Sequence, residues 1–189
     1  MPGRQRHHLD TPLGAVLLVS DAQQRLHALE FLDAAARRPR LAGWLALPDA
    51  AVPAALAQAL AAYFAGRLDA LQALVPHLAG SDWQQTVWRA VSRIPPGQTR
   101  SYGALGAQLG RHPRAVGNAN AANPIGLVIP CHRLVGHDGG LAGYAWGVAR
   151  KAWLLRHEGV PGIQSQAAEC AGPTGTVKCG HPDPHASAP

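Results

Sequence analysis

Residues 125–136 read IGLVIPCHRLVG, an apolar, partly β-branched run that ends on Pro130 and a Cys-His pair. A continuous apolar run of this length marks a buried strand, so IGLVI is expected to cross the core and deliver Pro130 and Cys131 towards a surface. Helices are expected on both sides. Upstream, Asn123 and Pro124 end a helix that starts near Pro113, because the residue before a proline is driven out of the helical region. A shorter helix runs from about Ser101 to Leu109 and stops at Gly110. Two short helices joined by a Gly-containing turn fit a helix-turn-helix, or equally an ordinary packing unit. Before them, Ser81 and Gln84 have capping-box spacing, and Trp83, Val87, Trp88 and Val91 form an apolar stripe that stops at Pro95, Pro96 and Gly97. Downstream, the loop GHDGGLAG leads to a helix over residues 148–158, closed by Gly159 and Pro161.

The N-terminal half has a different texture. The apolar runs LGAVLLV (13–19) and LHALEFL (26–32) flank the polar SDAQQR, which predicts a hairpin. Residues 53–66 have Pro in the first turn, Gly at the end and Leu56, Leu60 and Phe64 at helical spacing, so a helix should cover that hairpin. Residues 76–80 read as a linker. The expected organisation is a sheet-and-helix domain with its linker over 1–80, a helical domain over 81–163, and a disordered Ala-, Gly-, Pro- and Ser-rich tail over 164–189.

With 47% hydrophobic and 15% charged residues in 189, disorder throughout is excluded and a real core is affordable in length. No apolar run approaches the length of a bilayer span, and MPGRQRHHLD has no apolar signal core, so a soluble, cytoplasmic protein is expected. Three cysteines make a poor disulfide framework and leave Cys131 free as a thiol in a reducing compartment. The net charge of +6 is placed unevenly. Residues 1–80 carry seven Arg against six acids, whereas residues 81–163 carry nine Arg or Lys against three. A basic second half suits a polyanion such as DNA, although basic proteins also exist that bind none.

A thiolate, not a thiol, is the nucleophile, and an adjacent imidazole is a usual means of generating it near neutral pH. Cys131 before His132 is therefore a candidate reactive cysteine. The competing reading is a small buried core residue beside an incidental histidine. Neighbouring side chains on an extended segment point to opposite faces, so a bridging water is the expected link.

Together these features resemble the O6-alkylguanine-DNA alkyltransferases, or methylated-DNA-protein-cysteine methyltransferases. The likeness runs through TVWRAVSRIPPGQTRSYGALG, RAVGNANAANP, IPCHRLVG and GYAWGVARKAWLLRHEG in family order, and AAYFAGRLDA resembles the family's inter-domain helix. It implies an α/β (α+β) fold: a small N-terminal ribonuclease-H-like antiparallel sheet with a helix, then a mostly helical, winged-helix-like C-terminal domain containing a helix-turn-helix. It also implies roles. Cys131 accepts the alkyl group, His132 is its water-mediated base, Glu158 orients the imidazole, Tyr102 assists the departing guanine, and Asn123 ties the helix pair to the cysteine segment. Arg114 is the finger that fills the gap left by a flipped nucleotide. Ala115, Gly117, Ala119, Ala121 and Ala122 allow close approach to the minor groove, and Tyr144, Ala145, Trp146 and Leu134 form the alkylguanine pocket. The implied partner is double-stranded DNA containing O6-alkylguanine, met by a monomer with no cofactor, metal, membrane or obligate protein partner.

The sequence departs from the family pattern in places. The turn between Gly110 and Arg114 is about two residues short, with His112 and Pro113 in the gap, so Arg111 or His112 is expected to share the finger's work. Position 145 is Ala where some relatives carry a hydroxyl, and Trp146 stands where others have Gly, which predicts a narrowed pocket that takes methyl well and benzyl poorly. The N-terminal half lacks the cysteines of a zinc site, and the spacing of Cys170, Cys179, His181 and His185 in the tail matches no compact zinc module. Three other functions compete. A cysteine hydrolase needs an oxyanion hole that no second motif supplies, a helix-turn-helix regulator leaves PCHR unexplained, and an alkyltransferase-like damage sensor would replace the cysteine.

Overall fold

Five consecutive residues, Val16 to Ser20, are buried in strand β2 (Gly14–Asp21), so this strand has neighbours on both edges and cover on both faces. β1 (Arg4–Thr11) and β3 (Leu26–Phe31) pair with it antiparallel in the order β1-β2-β3, Arg4 facing Asp21, Val16 facing Phe31, and an irregularity at Val19/Ser20. The computed structural model describes residues 3–33, 40–141 and 143–163. The expected tail, with Cys170, Cys179, His181 and His185, lies outside them.

The expected hairpin is thus the inner part of a three-stranded sheet. β1 escaped the sequence reading because its residues, RQRHHLDT, carry almost no apolar signal; as an edge strand it buries chiefly His7, which bonds Ser20 Oγ (2.9 Å) and faces the Ala50 carbonyl (3.1 Å). β3 is buried along its whole length because the C-terminal region covers its free edge. Leu29 donates to the Pro124 carbonyl (2.9 Å) and accepts from the Gly126 amide (3.1 Å), which satisfies an edge that would otherwise pair with strangers. α1 (Arg40–Leu45) follows, and α2 (Ala54–Phe64) buries Leu56, Leu60 and Tyr63.

The C-terminal region opens with α3 (Asp82–Ser92), whose expected capping box forms: Gln84 N donates to Ser81 Oγ (3.3 Å) and Ser81 N donates to Gln84 Oε1 (2.9 Å). Its two tryptophans are anchors as well as filler. Trp83 Nε1 donates to the Ala115 carbonyl (3.2 Å) and Trp88 Nε1 to the Ala119 carbonyl (2.8 Å), which pins α5 (Pro113–Ala121) against α3. The two-residue strands β4 (Arg100–Ser101) and β5 (Leu134–Val135) pair in parallel, and β4 leads directly into α4 (Tyr102–Gln108). Between α4 and α5 the chain turns tightly. Gly110 adopts a φ of 64°, the Arg111 amide bonds back to the Gly106 carbonyl (2.9 Å), and His112 caps α5 by accepting from Arg114 N (3.2 Å). Pro113 then supplies the first helical position, so the short turn still starts a regular helix. α6 (Val148–His157) closes the fold with Glu158 at its C-terminal cap.

The run at 125–129 is buried as expected but is not a strand. Asn123 explains the difference: its side-chain carbonyl accepts from Ile125 N and its amide donates to the Ile129 carbonyl, both at 2.9 Å, folding the segment into a turn with Leu127 at a φ of 64°. Only one bridge to β3, at Ile125, survives, and Cys131 emerges in a 3-10 turn (Cys131–Arg133). A single apolar cluster runs from Leu18, Leu29 and Phe31 through Tyr63 and Trp88 to Ile125 and Leu154, so the two regions share one core. Among the described residues no helix is long and apolar enough to cross a membrane.

Glycine at 106 is a packing requirement, since a Cβ there would lie 2.6 Å from the Arg111 carbonyl oxygen, whereas one at Gly117 meets nothing within 4 Å. Helical Gly→Ala gains roughly 1 kcal/mol where space permits, and overpacking costs about 1–3 kcal/mol. Urea unfolding should therefore show Gly106→Ala destabilised and Gly117→Ala unchanged or more stable; equal effects of one sign would refute this packing account.

Candidate active site

Cys131 reaches a cleft of about 370 Å³ between two walls. One wall is α4 and α5, contributing Tyr102, Gly117, Asn120 and Ala121; the other is the loop carrying Tyr144, Ala145 and Trp146. Cys131 is only 4% exposed, so a reacting group must enter the cleft to meet it.

Behind the cysteine lies a buried ionic cluster. Glu158 carries a negative charge at a helix C-terminus, where the dipole is unfavourable, and is nearly inaccessible as well. It is tolerated because three side chains converge on it with four hydrogen bonds. Glu158 Oε1 accepts from Tyr63 Oη (2.7 Å), Arg133 Nη2 (2.8 Å) and His132 Nε2 (2.9 Å), while Oε2 accepts from Arg133 Nε (2.8 Å). Arg133 is held in turn by the Ile94 carbonyl (2.6 Å). Burial opposes the Glu158 charge, but the hydrogen bonds from His132 and Arg133, with the Arg133 charge, overcome it and hold the carboxyl well below the usual range. Burial dominates at His132, where it lowers the pKa despite Glu158 and so favours a neutral ring. Because the ionised carboxylate can only accept, the proton belongs on Nε2; Nδ1 is buried with no hydrogen-bond partner among the described residues. That leaves a bare ring nitrogen on the residue that follows Cys131.

The opposite side of Cys131 faces phenols and an amine. Burial, and secondarily the neighbouring Cys131, raise the Tyr102 pKa although Asn120 pulls against them. The Tyr144 hydroxyl is pushed up in the same way, by burial first and then by Cys131. Lys151 is fully buried in α6, its Nζ 5.9 Å from the centre of the Tyr102 ring; burial lowers its pKa to about 8 against the raising influence of Cys131.

Of the residues expected from sequence, Cys131, His132, Glu158, Tyr102, Asn123, Gly117, Tyr144, Ala145 and Trp146 come together here. Arg111, Arg114 and Ala115 sit apart from the cleft, around the start of α5. Arg114 is exposed there, whereas Arg111 lies over the Trp83 ring (5.8 Å). Leu134 is completely buried in β5 and absent from the cleft lining, because the 3-10 turn after Cys131 carries it inward. Ala119 likewise faces the core, since it shares the buried face of α5 with Val116 and Asn120. The Trp146 indole is turned onto Gly126, where a Cβ would lie 2.5 Å from the ring, so it borders the cleft without plugging it.

Four contributors were missed from sequence. Asn120 donates to the Cys131 carbonyl (3.3 Å) and to the Tyr102 hydroxyl (3.4 Å), and its helical spacing four and three residues from Val116 and Gly117 was a usable signal. Lys151 likewise shares the buried helical spacing of Leu154, Leu155 and Glu158. Arg133 and Tyr63 had no such mark.

Comparison with known proteins fits this arrangement. Residues 6–75 match the family model for the ribonuclease-like domain of 6-O-methylguanine DNA methyltransferase, and residues 82–160 match the model for its DNA binding domain. The methylated-DNA–protein-cysteine methyltransferase of Salmonella typhimurium is 47% identical over 158 residues, covering 79% of this chain and 92% of that protein. The Methanosarcina barkeri protein of the same name is 40% identical over 153 residues, covering 79% and 94%. Among solved structures, Mycobacterium tuberculosis OGT in complex with DNA superposes with a TM-score of 0.68 at 36% identity, covering 84% of this chain and 96% of that one. The O6-methylguanine-DNA methyltransferase of Pyrococcus kodakaraensis gives 0.61 at 26% identity, covering 83% and 99%. The chain belongs to the methylated-DNA–protein-cysteine methyltransferase family.

Proposed function

We propose that this protein reverses DNA alkylation directly, by moving the alkyl group of O6-alkylguanine onto Cys131 in one irreversible turnover. The observation that carries this reading is the buried Glu158–His132 pair (2.9 Å) behind a cleft-lining cysteine. Glu158 holds the Nε2–H tautomer, so the bare Nδ1 takes the thiol proton through one bridging water. The thiolate attacks the alkyl carbon, an S–C bond forms, the C–O6 bond breaks, and its electron pair leaves with guanine. Tyr102 hands the departing base a proton, and the thiol proton replaces it by way of His132 and solvent. A thioether does not hydrolyse under these conditions, so each molecule acts once.

The reactive carbon is inaccessible in a stacked duplex, so the nucleotide must flip into the cleft at a cost of a few kcal/mol. α4 and α5 act as a helix-turn-helix laid on the minor groove. Arg114 fills the gap from the exposed first turn of α5, supported by Arg111, while Ala115 and Gly117 let the helix approach. Tyr144, Ala145 and Trp146 form the far wall of the pocket, and Asn123 keeps both walls in register. On this reading residues 1–80 are the ribonuclease-H-like domain, residues 81–163 carry the chemistry, and a cytoplasmic monomer suffices.

A duplex with one O6-[methyl-³H]-methylguanine tests this directly: stoichiometric label should appear on the wild type and none on Cys131→Ala. Label that stayed on a lesion the protein still bound would favour the damage-sensor reading instead. With the indole of Trp146 bordering the cleft, an O6-benzylguanine duplex should react at least about tenfold more slowly than the methyl one, a difference of roughly 1.4 kcal/mol; equal rates would refute the narrow pocket.

Glu158→Gln should slow transfer by roughly 10²-fold or more through loss of the base's partner. Because it leaves Arg133 buried and unpaired, it should also cost about 3–5 kcal/mol near neutral pH. The Glu158 carboxyl is held below its unfolded value, so its stabilisation is present above about pH 4 and lost as pH falls through the folded value. The stability gap between wild type and variant should therefore narrow in acid. A gap independent of pH would contradict the ionised assignment.

A further inference from the structure

The proposed chemistry makes no use of a second buried carboxylate, that of Glu30, in the N-terminal sheet. Glu30 sits on β3 with no exposed surface, inside the run that reads from sequence as plain apolar strand. Its Oε1 accepts from Arg40 Nε (3.0 Å) and Nη2 (2.9 Å), and its Oε2 accepts from Trp146 Nε1 (2.6 Å). Arg40 passes the connection on. Its Nη1 donates to the Ala122 carbonyl (2.7 Å) and its Nη2 to the Asn123 carbonyl (2.6 Å). Ala122 caps α5, and Asn123 staples the turn that presents Cys131. One carboxylate on the N-terminal sheet thus grips both walls of the cleft, the Trp146 loop directly and the end of α5 through Arg40.

Buried ion pairs are poor sources of net stability, since desolvation offsets their attraction and apolar replacements often do as well. What they supply is geometry. A planar guanidinium and a carboxylate fix distance and angle together, and an indole N–H anchored to a charged acceptor has one orientation where a purely packed ring has several. The Trp146 ring is further confined by Gly126 beneath it and by Phe31, the residue after Glu30, edge-on at 6.0 Å.

We propose that Glu30, acting through Trp146 and Arg40, is a positioning residue that sets the width of the alkylguanine cleft and so makes the N-terminal domain a determinant of which alkyl groups are accepted. The inference rests on the transfer reading above. Without its charged acceptor the indole swings more freely, the cleft widens, and a small alkyl group is held less well against Cys131 while a bulky one gains room.

The test compares transfer rates from O6-methylguanine and O6-benzylguanine duplexes, both saturating, for wild type, Glu30→Gln, Trp146→Phe and the double variant. Trp146→Phe keeps an aromatic ring over Gly126 and removes the N–H donor. It serves as the second route if Glu30→Gln folds poorly. Glu30→Gln should lower the methyl rate about tenfold and shift the methyl-to-benzyl ratio at least about threefold towards benzyl. Trp146→Phe should shift the ratio the same way, and the double variant should add little to Glu30→Gln, because the indole contact is among those Glu30→Gln already removes. General destabilisation would lower both rates in step and leave the ratio alone. An unchanged ratio in both single variants, or independent, multiplying shifts in the double, overturns this proposal while leaving the transfer reading intact. A wild type that transfers neither group overturns both.

Discussion

The site depends on one ion, the Glu158 carboxylate, buried at the end of a helix whose dipole disfavours it. Tyr63, His132 and Arg133 compensate that charge from two separate parts of the fold: Tyr63 from α2, and His132 and Arg133 from the cysteine turn, where Arg133 is braced on Ile94 just after α3. The cluster therefore cannot form until those parts have docked. This makes the candidate site a product of the whole tertiary structure, and it explains why a long-range hydrogen bond from α2 ends on Glu158.

A second constraint comes from Asn123. Its side chain bonds two backbone groups of the following segment, and the segment that results is buried yet folded back, so Cys131 is presented at a cleft and not at a sheet edge. The same segment seals the free edge of β3 through Leu29. The N-terminal sheet is thereby protected by the very turn that positions the nucleophile, and the shared apolar core leaves the two regions little freedom to move apart.

Much of this was legible in the sequence, and the remainder was not for identifiable reasons. Helix starts were readable because capping is local: Ser81 with Gln84, Pro53 and Pro113 all fell where expected. The Cys131–His132–Glu158 constellation was recognised from its resemblance to a family, and its burial confirms that Glu158 is no ordinary solvated helix-end charge. β1 was invisible because an edge strand with one buried histidine has no hydrophobic alternation to detect. The strand expected at 125–129 failed because burial alone does not distinguish a strand from a stapled turn, and the staple was the asparagine two residues earlier. Glu30 and Arg133 were unreadable as site residues, since a buried charge betrays itself only through partners that are distant in sequence.

The central physical claim is that burial keeps His132 neutral while Glu158 fixes its proton on Nε2, leaving the Nδ1 lone pair available to the thiol. Nitrogen-15 NMR of imidazole-labelled protein, with His132→Gln to assign the resonance, measures this directly. The account predicts a neutral ring at pH 7 with a protonated Nε2 and a bare Nδ1. An imidazolium at that pH, or a neutral ring protonated on Nδ1, would contradict it.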